Sequence, residues 1–168
     1  MKNKSMKKYI AVIVSLLFSA TIFAQSGPFV LKVSGEVTTP LALSLQDIAA
    51  MPHHTDSVKD KSGILQQYSG VTIQDILKKA GVTVGKELRG ENLAKYVVAK
   101  CADGYQVLYS LAELDSSFSN KPAMIADAVN NNPLPENKGP LRVIISTDKI
   151  PARNCFQVTE LIVHYAKE

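Results

Sequence analysis

Cysteine is almost absent from this chain: Cys101 and Cys155 are the only two, and neither is near the N-terminus. A lipid-anchored leader, which needs a cysteine at its end, is therefore not expected. Long apolar runs are equally scarce. The one candidate, residues 9–23, is too short for a comfortable membrane span. No phosphate-cradling glycine loop, no nucleophile with its base and no paired-carboxylate motif stands above background, so common catalytic signatures lend nothing to function. Net charge is also missing once the leader is set aside. The four lysines at 2, 4, 7 and 8 precede the apolar run, and Ala24-Gln25 follows it. This pattern predicts a secretory signal peptide over residues 1–24, hence a periplasmic or secreted protein. Removing those four lysines turns 19 basic and 15 acidic residues into 15 and 15. A sequence pI of about 9.0 thus belongs largely to the leader, and no nucleic-acid or anionic-membrane partner is expected.

What remains, residues 25–168, suits one domain with a sizeable core. Its clearest local signal is residues 68–82. Thr72 and Asp75 have capping-box spacing, Ile73, Ile76, Leu77 and Ala80 form one apolar stripe, Lys78 and Lys79 complement the helix C-terminus, and Gly81 stops it. The same spacing occurs at Ser44 and Asp47, before a helix ended by Pro52, and at Ser110 and Glu113. The offsets of 28 and 38 residues are unequal. Such spacing indicates one capping solution used three times, not a solenoid.

Between the helices the period falls to two. Strands are predicted over 29–37, 96–101, 105–110, 124–129, 141–145 and 158–165, with Gly35 a bulge site and Asp103-Gly104 a hairpin turn that also holds Tyr105. Residues 130–140, rich in Asn and Pro, read as one long loop. The class is α+β: a mixed β-sheet domain with short capping helices.

The run Gly70-Val71-Thr72-Ile73-Gln74-Asp75-Ile76-Leu77, then Ala80-Gly81, Ala102-Asp103-Gly104-Tyr105 with Leu111-Ala112-Glu113-Leu114, and Gly139-Pro140-Leu141-Arg142 with Ala152-Arg153, resembles the sulfite-oxidase-type molybdopterin-binding domain, closest to its short exported members. The resemblance covers most of residues 30–165. It implies that fold, a molybdenum cofactor (molybdopterin) and oxidoreductase chemistry, with Arg142 and Arg153 at positions where the family carries basic residues near the cofactor's phosphate. A guanidinium fork suits that group. The family's metal ligand is a cysteine thiolate on the segment after the first helix. Here residues 56–63 read Asp-Ser-Val-Lys-Asp-Lys-Ser-Gly, without sulfur. Phe156 also stands where larger members often have a second basic residue.

The expectation is therefore a non-catalytic or accessory module that binds a small anionic, pterin- or phosphate-like ligand or a partner protein. The alternative is a molybdenum-cofactor oxidoreductase with an atypical ligand, Cys101 being the first candidate. By strand parity Cys101 faces the core beside Val97 and Ala99. In an exported chain Cys101 and Cys155 either stay two free thiols or pair as a disulfide, and closing that loop would stabilise by roughly 4 kcal/mol. Arg142, in an apolar strand, needs either a carboxylate or a bound anion. His53, His54 and Asp56 are metal-competent, but neighbours on an extended segment point to opposite faces, which favours a solvated loop. His164, alone on the last strand, reads as structural.

Overall fold

The computed structural model describes residues 29–121 and 123–166, so the expected leader and its cleavage site lie outside the described residues. The first sheet is assembled from β1 (Phe29–Gly35), β2 (Leu41–Ser44), β5 (Lys95–Cys101), β6 (Gln106–Ser110) and β10 (Val158–Tyr165), in the order β2-β1-β10-β5-β6. Only the β1–β10 pairing is parallel within it. The second sheet takes β3 (His54–Lys59), β4 (Leu65–Thr72), β7 (Met124–Val129) and β8 (Asn132–Pro133) in that order, with β9 (Arg142–Ile144) also paired to β7.

Alternation along the strands packs the two sheets on one another. Leu31, Val33, Val97, Ala99, Leu161 and Val163 from the first sheet meet Val71, Ile125 and Val143 from the second in one continuous core. Each such aliphatic side chain contributes about 1.5–3 kcal/mol by leaving water. The opposite parity of the second sheet makes a smaller cluster of Tyr68, Met124, Ala126, Leu134 and Ile144 on its outer face. That outer face carries the site described below.

Three short helices, α1 (Leu45–Ala49), α2 (Ile73–Lys79) and α3 (Leu111–Leu114), start where the capping spacings place them. At α1 the Ser44 hydroxyl accepts from the Asp47 N–H at 3.1 Å while the Asp47 carboxylate accepts from the Ser44 N–H at 2.8 Å. Ser110 and Glu113 repeat this reciprocal pair at α3. The third instance departs from the expected box. Thr72 accepts from the Asp75 N–H, but the Asp75 carboxylate takes the Thr72 hydroxyl at 2.6 Å instead of its N–H. At the far end of α2, Val82 N–H donates to Leu77 C=O and Gly81 N–H to Lys78 C=O, with Gly81 at φ 76°. This closure satisfies carbonyls that the helix leaves open.

Three sequence expectations change. His54 and Asp56 lie in β3 and not in a solvated loop, because residues 54–59 all pair with β4. The first strand ends at Gly35 rather than running to residue 37, because Gly35 turns at φ 88° against the Val163 carbonyl. The stretch 130–140 is not wholly loop: Asn130 and Asn131 adopt left-handed φ of 50° and 62°, folding Asn132–Pro133 back on β7. Asn tolerates that region better than most residues, which makes the tight hairpin accessible. No helix among the described residues is long and apolar enough to cross a membrane.

Candidate functional site

A cleft of about 570 Å³ opens on the outer face of the second sheet. One wall is the β3–β4 hairpin, which supplies Val58, Lys59 and Lys61; Leu134, Pro135 and Lys138 form the opposite side. Tyr68, Arg142, Asn154 and Phe156 complete it. Four cationic side chains thus border the space against one carboxylate, Asp60, which is already bonded to the Ser62 and Ile64 N–H groups and to Gln66.

Arg142 is placed there by strand parity. Its neighbour Val143 points into the main core, so Arg142 shares the outer face with Ile144 and is only 9% exposed. The guanidinium lies between two aromatic rings, 4.3 Å from the centroid of Phe156 and 5.0 Å from that of Tyr68, and Nη1 donates to the Tyr68 hydroxyl at 2.6 Å. Stacking on ring faces favours a cation. Burial nevertheless pushes the Arg142 pKa down, with Tyr68 opposing the shift. Of the two partners open to it from sequence, the carboxylate is not found: among the described residues no acid pairs with Arg142. Its Nε and the Asn154 Nδ2 are buried without a hydrogen-bond partner. A third such atom, Ser146 Oγ, lies outside the cleft lining. Leaving a buried donor unpaired costs about 1–3 kcal/mol, more for a charged group.

Arg153 is placed differently. It forks onto Asp148, with Nε and Nη2 at 2.9 and 2.8 Å from the two carboxylate oxygens, and reaches Glu113 at 3.1 Å. These hydrogen bonds, that to Asp148 first, raise its pKa, and its guanidinium does not line the cleft. The two arginines implied by the resemblance are therefore not brought to one point. Arg142 has no carboxylate partner among the described residues, while Arg153 ties the turn at Asp148 to α3.

No bond joins Cys101 and Cys155 in this structure; both are buried in the main core and both lie off the cleft. Burial is the chief cause that pushes each thiol pKa up. The segment 56–63, where the family carries its thiolate, does form the cleft wall, and it offers Val58 and Lys59 there. The donor set of the cleft consequently fits an anionic group and does not fit a metal bound through sulfur.

His53 and His54 diverge as adjacent residues should. His53 Nε2 lies 3.0 Å from Asp127 and its Nδ1 2.8 Å from the Met51 carbonyl, whereas His54 is 3.9 Å from Asp75 and Asp56 pairs with Lys121. Among the described residues no three His, Cys, Asp or Glu side chains group as a metal site. His164 stacks on Tyr96 at 5.2 Å, and Tyr105 and Asp103 close the β5–β6 turn. The Asp127 hydrogen bond is the main cause of a raised His53 pKa, with burial opposing it. Its folded value therefore lies above the unfolded one of about 6.5, so this stabilisation is full below that pH and is lost as pH rises through the folded value. Urea denaturation at pH 6 and pH 8 should show a loss of under about 1 kcal/mol at the higher pH that Asp127→Asn abolishes. An unchanged pH slope in that variant would exclude the pair as its source.

Of the cleft residues, Tyr68, Lys138, Leu134 and Asn154 carried no recognised signal in the sequence. For Tyr68 the usable signal was period two along 65–72; for Asn154 there was only adjacency to Arg153. Among solved structures, the sulfane dehydrogenase SoxCD from Paracoccus pantotrophus is similar at TM-score 0.63 and 18% identity, over 82% of this chain and 38% of that one. At that identity the likeness is one of fold, and this chain spans well under half of the length of that relative. A comparison with curated protein sequences finds no match. The family described as oxidoreductase molybdopterin binding domain matches residues 20–163, nearly the whole chain. With two facing sheets, helices capped at Ser44, Thr72 and Ser110, and that match, the chain belongs to the oxidoreductase molybdopterin-binding domain family.

Proposed function

We propose that this protein is an exported, non-catalytic or accessory member of its family that binds a small anionic ligand, pterin- or phosphate-like, in the cleft over Arg142. The observation that carries this is a buried guanidinium with an unbonded Nε and no carboxylate partner among the described residues, beside Lys59, Lys61 and Lys138. A charge held out of water without a counter-ion is costly, and beyond the one hydrogen bond to Tyr68 a bound phosphate or carboxylate would give the guanidinium the directed anionic acceptor that the protein does not supply. Arg142 serves as the fork, the three lysines draw the anion in, and Phe156 with Tyr68 holds the fork flat. Binding should weaken as salt is raised.

Oxidoreductase chemistry with Cys101 as an atypical metal ligand is the competing reading, and the position of that sulfur in the core, off the cleft, speaks against it. Metal analysis of protein purified from a host that makes the molybdenum cofactor, with inorganic phosphate titrated calorimetrically into the same preparation, separates the two. Substoichiometric molybdenum with saturable phosphate binding is the expected result. Near-equimolar molybdenum lost on Cys101→Ser would move the protein to the enzyme class. Absence of both would leave binding of a partner protein as its role.

A further inference from the structure

The two thiols sit behind the cleft wall. Cys101 ends β5 opposite Val158, and Cys155 lies three residues before Val158 on the segment that returns into β10. That segment is stitched to both sheets. Ala102 N–H donates to Gln157 C=O at 3.0 Å on the side of the first sheet, Val143 N–H donates to Cys155 C=O at 3.0 Å on the other, and Phe156 bridges to Arg142. Both sulfurs are buried in the same core cluster, 6% and 3% exposed, with the Tyr109 hydroxyl 4.0 Å from Cys155 Sγ. They are near enough for each thiol to shift the ionisation of the other. Directly flanking Cys155 are Asn154 and Phe156, two residues of the cleft wall.

We propose that Cys101 and Cys155 form a disulfide site whose bond pins the Asn154–Phe156 wall of the cleft to the end of β5. The oxidant is a protein or small-molecule disulfide of the compartment in which the chain folds. One cysteine thiolate attacks a sulfur of that disulfide and releases one thiol; the second then attacks the mixed disulfide and releases the other. Two electrons pass to the oxidant, which leaves as two thiols, and the protons of Cys101 and Cys155 end on them or in water. Exchange proceeds through thiolates and needs access. The bond therefore closes before the core does, and the folded protein then shields it from reductants.

Alkylation of unreduced protein, recovered from an oxidising compartment and unfolded in guanidinium, should find no free thiol until a phosphine reductant is added, and two afterwards. Two thiols modified without reductant, including after refolding with glutathione disulfide, would overturn the site. The pinning has its own readout in hydrogen exchange on the wild-type protein in its two redox states, which avoids variants that fail to fold. Amides of residues 154–158 should exchange about tenfold more slowly in the oxidised form, while those of the 60–64 turn stay unchanged. Equal protection of 154–158 in both states would refute the pinning even if the bond forms. Neither measurement involves a ligand, so failure here is distinct from failure of the anion site.

Discussion

Arg142→Met should leave a folded protein at least as stable as the native one without ligand, and should abolish saturable phosphate binding. Both halves come from one geometry. The guanidinium is buried, lacks an acidic partner among the described residues and has an unbonded Nε, so the native side chain carries a desolvation cost that its contacts with Tyr68 and Phe156 offset only in part. Methionine has similar length, packs between Tyr68 and Phe156, and removes that cost. Replacement of buried charges by apolar groups of similar volume is often neutral or stabilising by about 1–4 kcal/mol, and the lower end is expected here because the Tyr68 hydrogen bond and two ring contacts are lost. Loss of a hydrogen-bonded charge contact of about 1.5–3 kcal/mol corresponds to a roughly 10- to 150-fold weaker dissociation constant. Arg142→Lys should fall between, since an ammonium lacks the planar fork. Arg153→Ala is the control: its partly exposed network contributes under about 1 kcal/mol and its removal leaves phosphate binding intact. Thermal unfolding and calorimetry on the three variants decide the matter. A melting temperature several degrees lower in Arg142→Met with phosphate binding unchanged would make Arg142 a structural residue.

Gly70→Ala should be the most damaging conservative substitution in the second sheet. A Cβ at that position would stand 2.1 Å from the Ile125 carbonyl oxygen, 2.5 Å from Ala126 Cα and 2.7 Å from the Ile125 carbonyl carbon, all backbone atoms of β7. No rotamer change can relieve such a contact, so the strands must separate. The pairing of β4 with β7 already shifts register between Ser69 and Gly70, and the fully buried Val71 and Ile125 pack beside it. Overpacking a dense interior costs about 1–3 kcal/mol and occasionally more, and contact with immobile backbone places this site at or above the top of that range. Against a total stability of about 5–15 kcal/mol, that is a large fraction. Because Tyr68 lies two residues away, the Arg142 sandwich should loosen and phosphate affinity fall as well. Gly63→Ala provides the comparison: nothing lies within 4 Å of its added Cβ, so only the strain of its φ of 81° remains, about 1–2 kcal/mol. Urea midpoints for the two variants test the ordering, and a Gly70→Ala midpoint at or above that of Gly63→Ala would refute close approach as the reason for glycine at 70.

Local chemistry made much of the architecture legible. A hydroxyl and a carboxylate three residues apart, followed by an apolar stripe, define helix starts at Ser44, Thr72 and Ser110 without reference to the rest of the chain, because capping is satisfied within four residues. Strands 124–129 and 158–165 coincide with their alternating β-rich runs for the same reason. The absence of sulfur from residues 56–63 was equally plain. The partners of long-range side chains were not.

Nothing local says that Arg142 stacks between Tyr68, 74 residues earlier, and Phe156, 14 later. Nor does an arginine near the C-terminus announce that it will spend its fork on Asp148 and Glu113, as Arg153 does. Those outcomes depend on which strands pair and in which register, since a shift of one residue would exchange Arg142 for Val143 between the cleft and the core. Sequence alone therefore determined where helices begin and which strands alternate, both properties of a few consecutive residues. Only the packing of two sheets decided which arginine is paired with carboxylates and which is not, and that two cysteines 54 positions apart share one core, because those facts are set by contacts between segments and not by any segment itself.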